Sequence, residues 1–163
     1  MKRFLLKSST VFLLLVIAGC GFHLRGSATL PVSLQTMYVQ GVNMKQGLGL
    51  ELKRGLTRNG VTVRNEYQQG TAVLTILDNR FQRRVLSVGS DAKVSEYELH
   101  GSVTFKVSDG DGKVLADSQT VEARRDYQFD QNQVLGKDEE ERLLKEQLNQ
   151  QLVQSILRRL SVL

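Results

Sequence analysis

The chain has 163 residues with one cysteine, one proline and no tryptophan, a length that suits a single domain and a cysteine count that excludes an internal disulfide. Its formal charge of +5 overstates its basicity, because Lys2, Arg3 and Lys7 fall in a first stretch of 19 residues that holds no acid. The other 144 residues carry 19 basic and 17 acidic side chains, a net of +2, which speaks against a nucleic-acid partner.

The first 19 residues have the three parts of an export signal. Lys2, Arg3 and Lys7 give a positive start, Val11–Ile17 an apolar run, and Ala18-Gly19 the small residues of a cleavage site. The run is too short to span a bilayer, which takes about 20 apolar residues. Ile17-Ala18-Gly19-Cys20 resembles the bacterial lipobox, in which the cysteine thiol receives diacylglycerol and cleavage leaves that cysteine first. The expected organisation is a cleaved signal over residues 1–19, a lipidated tether over 20–35 broken by Gly21, Gly26 and Pro31, and one domain over 36–163.

Within the domain, Thr36–Gln40 reads as a short first strand. Residues 46–59 place Leu48, Leu52 and Leu56 on one helical face and end on Asn59-Gly60, a good stop. Gly47, Gly49 and Gly55 weaken this helix, each interior glycine by about 0.5–1 kcal/mol, so it needs a partner surface. Val61-Thr62-Val63 has the composition of a brief strand. Three long strands follow to about residue 129. The first carries Val73, Leu77, Phe81 and Val85 and turns at Gly89-Ser90-Asp91. The second alternates strictly, with Tyr97, Leu99, Val103, Phe105 and Val107 on one face and Glu96, Glu98, His100, Ser102, Thr104 and Lys106 on the other. Asp109-Gly110-Asp111-Gly112 reads as a hairpin turn, and it lacks the further acids of a calcium loop. The third carries Leu115, Val121, Ala123, Tyr127 and Phe129.

Residues 138–160 form the strongest helix pattern. Asp138 to Glu141 crowd its start and Arg158-Arg159 its end, both suited to the helix dipole. Leu144, Leu148, Leu152, Ile156 and Leu160 form an i+4 stripe that Leu143, Val153 and Leu157 widen. The expected fold is α+β: a two-layer sandwich of about four mostly antiparallel strands, with two helices packed on one face.

No catalytic constellation stands out. His23 and His100 lie in the tether and on a polar strand face, no spacing suits a metal, and no glycine-rich phosphate loop precedes a helix, so an enzyme is not expected. What remains is a set of cations among apolar residues: Arg83-Arg84, Lys93, Arg124-Arg125 and Lys137. Beside exposed apolar groups they suit the phosphates of an amphipathic lipid; as ordinary surface charges they would do nothing of the kind. The turn at Gly89 and the end of the last strand need not be close, which allows two basic clusters rather than one patch.

Cys20-Gly21-Phe22-His23-Leu24-Arg25-Gly26 resembles the mature start of the lipopolysaccharide-assembly lipoprotein family, LptE or RlpB. Leu48 to Gly60, Ser95-Glu96-Tyr97-Glu98-Leu99, and Lys137-Asp138-Glu139 before the leucine stripe resemble its first helix, central strand and last helix. The resemblance implies an outer-membrane lipoprotein of a Gram-negative cell, anchored by N-acyl and S-diacylglycerol chains on Cys20 and needing no other cofactor. Gly21 after the cysteine fits outer-membrane sorting, since an aspartate there commonly marks inner-membrane retention. The resemblance further implies that the domain plugs the lumen of the β-barrel LptD, one to one, helps it assemble, and binds lipopolysaccharide during delivery to the cell surface. Lys137 matches a basic family position; Ser90 stands where some relatives carry arginine, with Lys93 nearby as a substitute. Lys137, Arg124, Arg125 and Lys93 are the expected lipopolysaccharide contacts. The alternative is an accessory lipoprotein of another barrel-insertion or secretion complex that does not bind lipopolysaccharide.

Overall fold

A computed structural model describes residues 30–129 and 134–163, and side chains throughout these except at 134–138. The signal segment, Cys20 and most of the tether lie outside the described residues. A 3-10 turn, Val32–Leu34, leads into β1 (Thr36–Gln40), α1 (Gly47–Arg58), β2 (Thr62–Arg64), β3 (Ala72–Val88), β4 (Val94–Ser108), β5 (Val114–Gln128) and α2 (Val134–Leu160). Leu30 and Leu34, within the expected tether, are buried in the core, so the domain begins before Thr36.

The sheet has five strands in the order β2-β1-β3-β4-β5, one more than the approximate count expected, because Thr62–Arg64 pairs in parallel beside β1. β1 also runs parallel to the start of β3, from Met37↔Ala72 to Gln40↔Thr75. A parallel neighbour needs a crossover, and α1 supplies it between β1 and β2. The long strands β3, β4 and β5 form the antiparallel meander read from the alternation.

Both helices lie over one face of the sheet. On α1, Leu48, Leu52 and Leu56 are buried as their spacing requires. The helix ends in a tight stop: Val61 N–H donates to the Leu56 carbonyl at 3.0 Å and Gly60 N–H to that of Thr57 at 3.0 Å, with Gly60 at φ +82°. The weak helix former Gly55 is where the helices touch. A Cβ there would sit 2.8 Å from Val153 Cγ1, so the lost propensity is exchanged for close helix packing. On α2, Leu148, Leu152, Ile156 and Leu160 are fully buried, and Val153 and Leu157 nearly so. Leu143 is exposed, which narrows the expected stripe. The helix also starts at Val134 rather than 138, so the acids from Asp138 onward fall in its second turn and no acid occupies the first.

The β3 pattern is corrected by a bulge. The buried residues at its start are Ala72, Leu74 and Ile76, not Val73 and Leu77. Ile76 pairs with Phe105 and Asp78 with Thr104, so Leu77 is the extra residue that reverses which parity faces the helices. Beyond it Phe81 packs against the core as expected, while Leu77 and Val85 are exposed. A second irregularity in β5, between Phe105↔Gln119 and Val107↔Ala116, buries Ala116 and leaves Leu115 only partly covered.

Candidate functional site

β1 covers only the first residues of β3, so from Ile76 onward the β3–β4 hairpin extends past it as an arm. At about 3.3 Å per residue this arm is about 40 Å long. One face of it is covered by α2, where Leu99, Tyr127 and Leu148 form a small second cluster with Phe81, Tyr97, Phe129 and Leu144 around it. Tyr97 stacks on Tyr127 with ring centroids 5.8 Å apart, and Phe129 meets Tyr97 edge-on at 5.2 Å.

A polar knot ties this face to the helix. The Arg83 guanidinium lies 4.7 Å from the Tyr97 ring centre and 3.3 Å from Glu141 Oε2. The Tyr127 hydroxyl donates to the same oxygen at 3.4 Å, and Lys145 Nζ lies 2.8 Å from Glu141 Oε1. The Lys145 ammonium above all holds the Glu141 carboxyl below the usual carboxylate range, with Arg83 adding to it. Burial pushes the Tyr127 hydroxyl up. A depressed carboxylate stabilises the fold fully above its ordinary titration range and loses that contribution as pH falls through the depressed value. Glu141→Gln is expected to cost about 1 kcal/mol at pH 7, given an Arg83 half in solvent. The deficit should shrink on acidification below about pH 4, which urea unfolding of both proteins at pH 7 and pH 3.5 will show.

The end of the arm is different. Val85, Leu86 and Val88 are about half exposed, and Lys93 stands in the turn with its side chain 61% exposed and only a 3.9 Å contact to Asp91. Gly89 N–H donates to the Lys93 carbonyl at 2.7 Å, and Ala92 takes a left-handed φ of +60° at the place where the Asp109–Lys113 turn has Gly112. Ser87 Oγ bonds both Ser95 Oγ and Glu96 Oε2, which closes the hairpin behind the tip.

Of the basic residues singled out from sequence, Arg83 and Arg84 point to opposite faces; Arg84 lies 3.9 Å from Glu98 on the outer one. Arg124 and Arg125 split in the same way. They pair with His100 and Leu99, so Arg124 shares the outer face with Glu122 at 3.7 Å while Arg125 lies under α2. The β3–β4 turn and the end of β5 do share one end of the sheet, as Glu96↔Gln128 shows. Arg124 and Arg125 nevertheless lie about 20 Å back from Lys93, at 3.3 Å per residue along β4. Lys93, Arg124 and Arg125 therefore do not form one patch. Position 137 lies on α2 one turn before Glu141, towards the arm; its side chain is outside the described residues.

Two features escaped the sequence reading. The exposed trio Val85, Leu86 and Val88 was hidden because a further register shift between Val85 and Ser87 breaks the alternation near the end of the strand. His100, on the nominally wet face, is 8% exposed, and its Nε2 lies 3.3 Å from Glu122 Oε2. Among the described residues no helix is long and apolar enough to cross a membrane.

The model of the LptE lipopolysaccharide-assembly family matches residues 34–160. The LPS-assembly lipoprotein LptE of Photorhabdus laumondii is 29% identical over 90% of this chain and 79% of the relative, and that of Pectobacterium atrosepticum 26% over the same shares. Among solved structures, a minor lipoprotein from Acinetobacter baumannii superposes with a TM-score of 0.68 at 28% identity, covering 81% of this chain and 94% of that one. A lipoprotein B from Nitrosomonas europaea gives 0.68 at 29%, covering 86% and 90%. With the match running from Leu34 at the edge of the core to Leu160 at the end of α2, the chain belongs to the LptE lipopolysaccharide-assembly family.

Proposed function

We propose that the mature chain is an outer-membrane lipoprotein held by acyl chains on Cys20, that it plugs the lumen of the lipopolysaccharide-transport barrel LptD one to one and aids its assembly, and that it binds lipopolysaccharide without catalysing a reaction. Family membership supports the assembly role. The observation that carries the lipid role is the arm tip, where Val85, Leu86 and Val88 lie exposed near Lys93. Apolar groups beside a cation match a molecule with acyl chains and phosphates. α2 brings position 137 towards the same arm, whereas Arg124 and Arg125, on opposite faces and farther back, are weaker candidates for that ligand. The outer sheet face suits a polar lumen, because it is polar and several of its charges are paired: Arg80 with Asp78, Arg84 with Glu98, and Arg124 with Glu122.

The test is lipopolysaccharide binding by the full mature chain. Lys93→Glu combined with Lys137→Glu is expected to weaken binding about tenfold and to flatten its salt dependence. Replacing Val85, Leu86 and Val88 by serine should weaken it comparably while the chain stays folded, with a lower melting temperature because each side chain is only about half exposed. Full affinity in both variants would remove the arm tip from the site.

A further inference from the structure

The far side of the molecule carries a second surface. β5 is the last strand of the sheet, so one side of its 15-residue backbone has no strand partner among the described residues. Along that edge, between β5 and the C-terminal half of α2, two depressions of about 900 and 540 Å³ adjoin, sharing Glu122, Ser155 and Arg158. Arg125, Arg158 and Arg159 open onto this groove, and none has a carboxylate partner among the described residues. Two acids line it and both are engaged, Glu122 by His100 and Arg124 and Glu51 by Arg54. Arg158 and Arg159 are held by neutral groups only, Ser155 Oγ at 2.8 Å and Gln119 Oε1 at 3.0 Å. The arm offers the contrast, since Arg80, Arg83 and Arg84 each have an acid partner. Arg158 and Arg159 also complement the negative end of α2, but Arg125, on the helix side of a strand, has no such role.

We infer that the free edge of β5 and this groove dock an extended, acidic segment of a partner protein, added as a further strand. An unpaired strand edge supplies backbone donors and acceptors for such a segment, and the arginines select its charge. On an added strand every second side chain, about 7 Å apart, points to the helix side. Carboxylates at alternate positions would thus meet Arg125 and then Arg158. The chain's own segment 20–29 is excluded as the occupant by charge, because it contains His23 and Arg25 and no acid.

The experiment titrates a synthetic ten-residue peptide of alternating Glu and Thr onto the full mature chain in detergent, followed by amide NMR. The counterpart peptide with Lys for Glu is the control. The expected result is saturable shifts and slowed hydrogen exchange confined to β5 for the Glu peptide, and none for the Lys peptide. The double variant Arg125→Glu, Arg158→Glu breaks no carboxylate pair; it should reverse the preference and lower the melting temperature by only a few degrees, the effect of an acid in the last turn of α2. Three results would overturn the inference: no β5 response to the Glu peptide up to millimolar concentration, the same response to inorganic phosphate (a plain anion site), or concentration-dependent slowing of β5 exchange without peptide (a second copy of this chain on the edge).

Discussion

Phe105→Ala should lower the unfolding free energy by about 4 kcal/mol. Phe105 is among the largest fully buried side chains, at 0% exposure, on the central strand β4 between Ile76 of β3 and Gln119 of β5. Truncation removes the ring's transfer free energy and leaves a cavity that two paired strands and a helix layer cannot close. A domain of this size is stabilised by only about 5–15 kcal/mol, so the variant should unfold at markedly lower urea with an unchanged slope. Leu143→Ala is the control. Its side chain is 46% exposed, and a loss within about 0.5 kcal/mol is expected. Equal losses at the two positions would contradict the packing described.

Gly41→Ala is expected to cost about as much with a far smaller change in volume. Gly41 follows β1 at φ +84°, and a Cβ there would lie 2.1 Å from the carbonyl oxygen of Ile76. The atom in the way is backbone, next to the bulge that reverses β3, so no rotamer change can relieve it. Left-handed strain in a non-glycine residue costs about 1–3 kcal/mol, and overpacking adds about as much. Thermal unfolding should show a drop in melting temperature of about 10 °C or more. A change of a degree or two would mean that β1 does not lie against Ile76 as described.

The contrast between Leu152 and Ile76 shows what the sequence made legible. Leu152 sits in an unbroken i+4 stripe, and one helix alone determines which way it points; it is fully buried. Ile76 is buried and Leu77 exposed because of one inserted residue opposite β4, and nothing local to β3 marks that insertion. The alternation of β4 from Tyr97 to Val107 survived because the inserted residues along that stretch lie on its neighbours, at Leu77 of β3 and between Ala116 and Gln119 of β5. The parallel pairing of β1 with β3 was likewise out of reach, since it depends on a crossover and not on composition. At the candidate site, the residue types were readable and their faces were not. Arg124 and Arg125 are adjacent in sequence, and for that reason a strand sends them to opposite sides. Lys93 alone among the described candidates stands at the arm tip.

The most direct test of the central claim is purification of the intact chain from outer membranes in mild detergent. Co-elution with one large β-barrel protein in about equal amounts is expected. The same is expected for a correctly exported Cys20→Ala form, because a plug enclosed by the barrel does not depend on its acyl chains for retention. Recovery of the wild-type chain as a free lipoprotein, with no barrel in the same fraction, would contradict that claim.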